Sequence, residues 1–570
     1  MKKATQLEVW NRILVAKNNF KNMKPNFDFY KDAYLGNQKS NFTDEEIVVN
    51  YVFAVVSTMY ATNFARMPRI NAISDDALFD SEGHPNRFTA ELWIKYLWKL
   101  IDLETEIGKA IIDGYIYGKG WTKAGYSIIQ DINDDIIYNN PLCEHVPIYN
   151  IWVDPEAKHL DLRKDGCAEY VVHRIIRPLL QIRKDPRYSN TQKLKGHVDI
   201  PETIDELNIK ETDDIKRVEL YEVWIPRENR VITLCDELKA DKALREMELP
   251  YGYMYPFTDF NCFNKPDGLF YYTGVVENMI PQQEEKNRIR TMLYEYIRRN
   301  MPRIFVEKGV FETEEDLEQA KTGLINAFIE VTNIGGIQAW KSTAFPGEAF
   351  AVGREITTED IPAITGVSQY GMSQLPAVKR QATEAYLAQG GMQGRVDKMA
   401  GQIDKYMEIV LNKLLTISQT QLIGERLITD ERGGYVSNYP VSRETLAGPL
   451  RIEIEGGSSR SLNKEMERQQ VLQLAPMIAQ FIASPIHHEL GKTLALYFDF
   501  PNADSLFQQA PMMPEMMGTE GEQGEMPSIE QQTPLGPKEE MLRAEGAYTA
   551  KGPSFLKRIG KFISSKFGGK

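Results

Sequence analysis

Between Pro266 and Asn300 the apolar residues Leu269, Tyr272, Val276, Met279, Ile289, Leu293 and Tyr296 recur mostly at three- and four-residue spacings. That is the period of an α-helix with one apolar face. Asp267-Gly268 breaks the chain ahead of this stretch and Asn300-Met301-Pro302 breaks it behind, as helix boundaries do. From Gln282 to Asn300 the helix would be roughly 28 Å long at about 1.5 Å per residue, and Pro281 predicts a kink or a restart. A helix so long and charged, with so narrow an apolar stripe, needs neighbours. Identical copies standing in a ring would supply them.

Upstream, the pattern predicts a short helix over Leu7–Asn18 and a Tyr- and Phe-rich loop within residues 5–40. Thr43 and Glu46 have capping-box spacing and open a buried helix over Ile47–Phe64, ended by Arg66-Met67-Pro68-Arg69-Ile70. A linker with Asp75-Asp76 and His84-Pro85 follows. One helix then spans Arg87–Gly118, and Gly114, Gly118 and Gly120 turn the chain into a strand over Trp121–Ile129. Residues 130–262 read as β-rich. Tyr170–Ile176 is a strand, and Arg217–Cys235 forms two strands about the turn Pro226–Asn229. Asn150–Pro155 reads as a turn and Arg183–Asp214 as a charged surface excursion.

Downstream, Arg303–Glu307, Glu312–Lys321, Ala327–Thr332 and Ile337–Trp340 predict strand, helix, strand and strand, a small α+β insert. Glu355–Gln369 is helical but interrupted by Pro362 and Gly366, and Tyr370–Val378 is too rich in Gly, Pro and Ser to be regular. Gln381–Gln421 is a very long helix with Met399, Ile403, Tyr406, Val410, Leu414 and Ile417 on one face. Leu450–Ile454 alternates as a strand and Asn463–Ala483 is helical. Residues 508–546, rich in Met, Pro, Gly, Gln and Glu, read as a disordered linker. Residues 547–570 form a basic amphipathic tail: Lys551, Lys557, Arg558, Lys561, Lys566 and Lys570 accompany Phe555, Ile559, Phe562, Ile563 and Phe567 on one helical face.

The 570 residues, 42% apolar, have room for a sizeable core and roughly two to four domains. A net charge of −13 argues against a broadly basic face that wraps nucleic acid. It is compatible with DNA sliding through an acidic channel without sticking. Cys143, Cys167, Cys235 and Cys262 are not at metal-ligand spacing and read as plain buried thiols in a reducing interior. The opening MKKATQLEVWNRIL is too polar for a signal peptide, and the chain has no apolar run of about 18 residues to cross a membrane.

Catalytic motifs do not emerge. There is no Gly-rich loop ending in Gly-Lys-Ser/Thr. Gly366-Val367-Ser368-Gln369-Tyr370-Gly371 is one residue off the nucleophile-elbow spacing. His487-His488 on a helix would point about 100° apart, poorly placed to share a metal. Gly118-Lys119-Gly120 lacks the third glycine of a dinucleotide fingerprint. Asp134-Asp135 and Glu284-Glu285 read as solvated acidic pairs. The expectation is a structural protein with no catalytic residue, metal or cofactor.

Three stretches resemble the portal (head–tail connector) proteins of tailed double-stranded DNA bacteriophages. Ile47–Ile70 looks like the family's early helix ending in an Arg-x-Pro-x-Ile element. Ile111–Trp121, IIDGYIYGKGW, looks like its Tyr-Gly-x-Gly-Trp strand start. Asn287–Lys308 followed by Arg380-Gln381-Ala382-Thr383-Glu384-Ala385 looks like the stem exit and the element after the tunnel loop. The resemblance implies an α+β portal fold: wing 1–265, stem helix 266–300, clip 301–353, returning stem helix 354–365, tunnel loop 366–379, wing with long helix and strands 380–460, and helical crown 461–507. It further implies a ring, usually a dodecamer, at one capsid vertex of the virion, assembled in the host cytoplasm. Double-stranded DNA would be packaged through it by the terminase large subunit and later ejected. A head–tail adaptor and the major capsid and scaffolding proteins would be further partners.

On this reading Tyr370, Met372, Gln374, Lys379 and Arg380 line the tunnel, with Lys379 and Arg380 the candidates for transient phosphate contacts. Glu284, Glu285, Arg288, Arg298 and Arg299 lie at the ring interface. DNA that must slide without being read needs no base-reading residues, and excess negative charge keeps phosphates from adhering. The basic tail does not fit the family pattern. It motivates one alternative, a membrane-associated structural scaffold, although a membrane is not an expected partner of a portal.

Overall fold

A computed structural model of the chain describes residues 4–38, 47–74, 85–130, 136–197, 216–239, 241–266, 268, 270–299, 303–311, 313–322, 331–332, 335, 337–340, 347–367, 382–432 and 435–456. The chain divides into two units, Met1–Asn502 and Ala503–Lys570, and every described residue belongs to the first. The capping box Thr43–Glu46, the Asp75-Asp76 linker, most of the expected tunnel loop, the helix expected over Asn463–Ala483, the linker 508–546 and the basic tail lie outside the described residues.

The first helix, α1, runs Gln6–Leu35, where a short helix and a loop were expected. Thr5 Oγ1 accepts from the Glu8 amide and Glu8 accepts from the Thr5 amide, a closed capping box. Gly36, at φ 79°, ends the helix. Burial of Phe20 and Phe27 against Tyr149, Trp152, Tyr117 and Tyr271 extends it past the point where the local pattern weakens. Next come α2 (Tyr51–Asn63), capped by Asn50 four residues beyond the expected start, and β1 (Ile70–Ser74). The single helix expected over Arg87–Gly118 is two, α3 (Pro85–Leu100) and α4 (Leu103–Tyr117), broken where Asp102 takes a left-handed conformation at φ 48°.

The β-rich region holds β2 (Lys119–Gln130), β3 (Ile136–His145), β4 (Ile151–Val153), β5 (Val171–Pro178), a short α5 (Leu179–Lys184), β6 (Arg217–Ile225), β7 (Arg230–Cys235), β8 (Arg245–Met247) and β9 (Phe257–Asn261). β4 corrects the expected turn at 150–155. There follow α6 (Val275–Arg299), β10 (Arg303–Val306), α7 (Glu314–Thr322), β11 (Ile337–Trp340), α8 (Gly347–Glu355), a π-turn (Ile356–Asp360) and α9 (Ile361–Thr365). The described part ends with α10 (Ala382–Gln421), the unanticipated hairpin β12 (Arg426–Arg432) and β13 (Tyr435–Val441), and β14 (Leu450–Ile454).

The strands form an antiparallel five-stranded sheet, β4-β5-β6-β7-β8, a three-stranded sheet, β3-β2-β9, and three pairs, β1-β14, β10-β11 and β12-β13. Side chains alternate across a strand, which orders the layers. Phe260, opposite Gly120, touches Tyr115 of α4 and Tyr406 of α10, so both helices cover one face of the small sheet. On its other face Phe257 meets Trp224 and His173 of the large sheet, and Lys123 pairs with Glu222 at 2.7 Å. The far face of the large sheet presents Tyr221 and Trp152 to Trp10 and Phe20 of α1. The core lies between these layers, and all four cysteines are buried free thiols.

Candidate functional site

The candidate site is the long helix α6 with what holds it. Its 25 residues are continuous through Pro281, so the expected restart is corrected, and the proline lies on the exposed side of the helix. Its start is also later than expected, because Tyr272 belongs to the extended segment that bridges to Phe263 through Thr273.

The inner stripe of α6 begins apolar, with Val276 and Met279 buried, and then turns polar. Gln283, Asn287 and Thr291, four residues apart, are 1%, 2% and 1% exposed. They receive the extended segment ahead of α2. Ile47, Val49 and Tyr51 donate their backbone N–H groups to Thr291 Oγ1 (3.1 Å), Asn287 Oδ1 (3.4 Å) and Gln283 Oε1 (3.1 Å). Gln283 Nε2 returns a bond to the Val49 carbonyl at 2.8 Å, and Asn287 Nδ2 donates to Gln38 Oε1 at 2.6 Å. The match is geometric: four helical residues rise about 6 Å and two strand residues about 6.6 Å. The ladder therefore satisfies a backbone that no sheet pairs. It was missed from sequence, although three uncharged polar residues continuing an apolar stripe at i, i+4 and i+8 were a legible signal.

Among the residues expected at a ring interface, Glu284, Glu285 and Arg288 lie on the outward side of α6, and Glu284 and Arg288 pair with each other at 3.7 Å. Half-exposed and one turn apart, they add little stability. Arg298 lies exposed in the last turn and Arg299 closes the helix. Tyr370, Met372, Gln374, Lys379 and Arg380 lie outside the described residues.

The distal part of α6 loses its cover. Tyr294 and Ile297 are 48% and 51% exposed, and on α8 Phe350 is 56% exposed. Beyond α6, β10 and β11 pair antiparallel from Arg303↔Trp340 to Val306↔Ile337 with α7 between them in the chain, three of the four elements expected for the insert; the strand expected over Ala327–Thr332 lies mostly outside the described residues. The chain then returns along α6 through α8 and α9. This helical run begins at Gly347, eight residues before the expected Glu355, and ends at Gly366, where φ is 74°.

The π-turn has a local cause. Pro362 has no N–H to offer to the fourth carbonyl before it, and the preceding residues widen instead, Ile361 N–H donating to Ile356 O. The Gly353 carbonyl is taken by Thr357 Oγ1 at 3.1 Å and by the Lys286 ammonium. Burial, aided by Arg290, lowers the pKa of Lys286.

α10 anchors the other side. Met399, Ile403, Tyr406, Val410, Leu414 and Ile417 are all buried, as the sequence predicts. Asn412 of α10 donates to the carbonyl and accepts from the amide of Ile452, both at 2.8 Å, reading the edge of β14. Lys413 donates to the Phe257 carbonyl, and burial pushes its pKa down to about 8.

Other ionisable groups sit inside the wall of this scaffold. Burial raises the pKa of Asp113, which pairs with His145 at 2.7 Å. Burial, with Lys123 beside it, lowers that of His173. Among the described residues no group of three or more His, Cys, Asp or Glu could hold a metal, and no helix is long and apolar enough to cross a membrane. The geometry is that of a rod held by a body.

No curated protein matches the chain. The family model described as phage SU10 portal protein matches residues 128–545, nearly three quarters of the sequence, including β3 to β14 and all of α6 to α10. The chain therefore belongs to the phage SU10 portal protein family.

Proposed function

We propose that the protein is the subunit of a ring, a dodecamer, at a unique capsid vertex of the virion. The terminase large subunit packages double-stranded DNA through its axial channel, the DNA later leaves by the same route, and a head–tail adaptor attaches there. Residues 1–265 and 380–460 form the wing, α6 and the returning α8–α9 run the stem, and the β10–α7–β11 insert the clip. Residues 366–379, with Tyr370, Met372, Gln374, Lys379 and Arg380, form the tunnel loop, and 461–507 the crown. Subunits assemble in the host cytoplasm with the major capsid and scaffolding proteins. The role is structural, without catalysis.

One observation carries this reading. The side of α6 that is core-facing near Met279 is apolar again at Tyr294 and Ile297, beyond the polar ladder, where the chain's own body no longer covers it. A head-to-tail contact between copies buries such a stripe and closes into a ring. Glu284, Glu285, Arg288, Arg298 and Arg299 then meet charges of the neighbouring stem. Electron microscopy and native mass measurement of the purified protein test this. Rings with an axial hole are expected, and a monomer that never forms rings in any buffer overturns it.

A further inference from the structure

The motif Gly118-Lys119-Gly120 joins α4 to β2, and nothing in the proposed function uses it. Lys119 is 1% exposed, a rare place for an ammonium. Its Nζ lies 2.5 Å from Asp259 Oδ2 and 2.6 Å from Asn261 Oδ1, both on β9. It also sits 3.7 Å from the centroid of the Phe270 ring and 4.7 Å from that of Tyr272. These aromatic rings belong to the few residues that precede α6. One ammonium, itself fully buried, therefore ties the small sheet to the root of the stem through an ion pair and cation–π contacts.

The backbone around it is equally close. Gly118 has φ 87°, and a Cβ there would lie 2.0 Å from the Tyr272 carbonyl oxygen. A Cβ on Gly274, one residue before α6, would lie 2.7 Å from the carbonyl oxygens of Tyr115 and Ile116. The Gly118 carbonyl accepts from the Cys262 amide at 3.1 Å, and Phe263 and Thr273 exchange backbone bonds. Main chain against main chain yields far less than side chains do. The ladder farther along α6, by contrast, is made by side chains.

We propose that Lys119, seated between Gly118 and Gly120, is the positioning residue that fixes the angle at which α6 leaves the body, and that this angle sets how many subunits close the ring. The second half rests on the ring reading above. Its demand on stiffness is severe. Neighbours in a twelve-membered ring differ by about 30° and in a thirteen-membered ring by about 28°, so a joint loose by roughly 2° no longer specifies the count.

The test uses the full-length chain carrying Lys119→Met with Asp259→Asn, which removes the ammonium without stranding a carboxylate. Lys109→Met, at an exposed lysine of α4, is the control. Spin labels at Met292 on α6 and Ile176 on β5 report the angle within one subunit. Met292 stands about 25 Å from the helix start, so a 5° loosening moves it by roughly 2 Å. The expected result is a label distance broadened or displaced by that amount in the Lys119 variant alone, with ring masses spread over more than one subunit number.

A label distance as narrow as in the wild type overturns the proposal. So does an unchanged single ring mass accompanied only by a lower melting temperature. A shifted distance in a protein whose wild type never forms rings rejects the ring reading and the subunit-number half, and retains Lys119 as the residue that sets the stem angle. Should the double variant not fold, Tyr272→Leu, which removes one aromatic wall, is measured in the same two ways and judged by the same outcomes.

Discussion

Replacing Asn287 by Leu removes the middle rung of the ladder while keeping the branched outline of the side chain. Asn287 accepts from the Val49 amide and from Gln283 Nε2 and donates to Gln38. Leucine leaves the Val49 N–H without its acceptor in a site where Asn287 is only 2% exposed. An orphaned buried donor costs about 1–3 kcal/mol. Gln283 keeps its bond to the Val49 carbonyl, and Gln38 can turn to water, so about 2 kcal/mol is the expected loss. The loss is local, because the segment 47–50 is held to α6 by this ladder while α2 has its own core contacts. Hydrogen exchange by mass spectrometry reads it directly: amides of residues 47–51 should exchange roughly 30-fold faster, with α4 and α10 unchanged. Asn278→Leu, on the exposed side of α6, should leave them as they were. Unchanged exchange at 47–51 in Asn287→Leu, or an acceleration spread evenly over the chain, would refute the ladder as what holds this segment.

Three further outcomes are expected. Lys413 has a folded pKa of about 8, below the unfolded value near 10.4, so the unfolded chain binds more protons between these values and stability must rise with pH from about 8 upward. Thermal melts at pH 7.5 and 9.5 should show that rise in the wild type and a flatter response in Lys413→Met, and equal slopes contradict it. Gly118→Ala sets a Cβ against the Tyr272 carbonyl at a φ that costs a further 1–2 kcal/mol or so, so soluble yield should fall sharply. A melting point within a degree of wild type refutes that clash. Tyr294→Ser with Ile297→Ser should abolish rings seen by native mass spectrometry while the monomer's melting temperature stays within about 2 °C. Intact rings would mean that the distal stem is not the interface.

Much of the scaffold was legible because its signals are local and redundant. α10 carries six apolar residues at helical spacing, and all six are buried. The β6–β7 hairpin announced itself by Pro226–Asn229, and Asn229 indeed takes φ 50°. In the insert, β10, α7 and β11 fall within two residues of their expected bounds. What failed were elements decided by partners far away in sequence. Nothing local says that Phe20 and Phe27 will meet Tyr149 and Tyr271, so α1 reads as half its length. The α3–α4 break rests on a single left-handed Asp102 inside a helical pattern. β12 ends in three consecutive charges, Asp430, Glu431 and Arg432, and β13 carries Pro440, so neither reads as an alternating strand. At the site, the length of α6 was readable; the spacing of Gln283, Asn287 and Thr291 marked a stripe, but not its burial, which Ile47–Tyr51 supplies from far away in sequence.

The pair β1–β14 has a consequence for how the protein is made. Among the described residues Ile70–Ser74 finds its strand partner in Leu450–Ile454, and Ser74 Oγ donates to Pro449 across 375 positions. At roughly 5–20 residues per second on the ribosome, β1 waits about 20–75 s for the strand that covers its edge. During that interval a nascent subunit carries an open strand edge of the kind that recruits other chains. A late-made strand therefore closes what an early-made one leaves open, and only a chain translated at least as far as residue 454 can shield it.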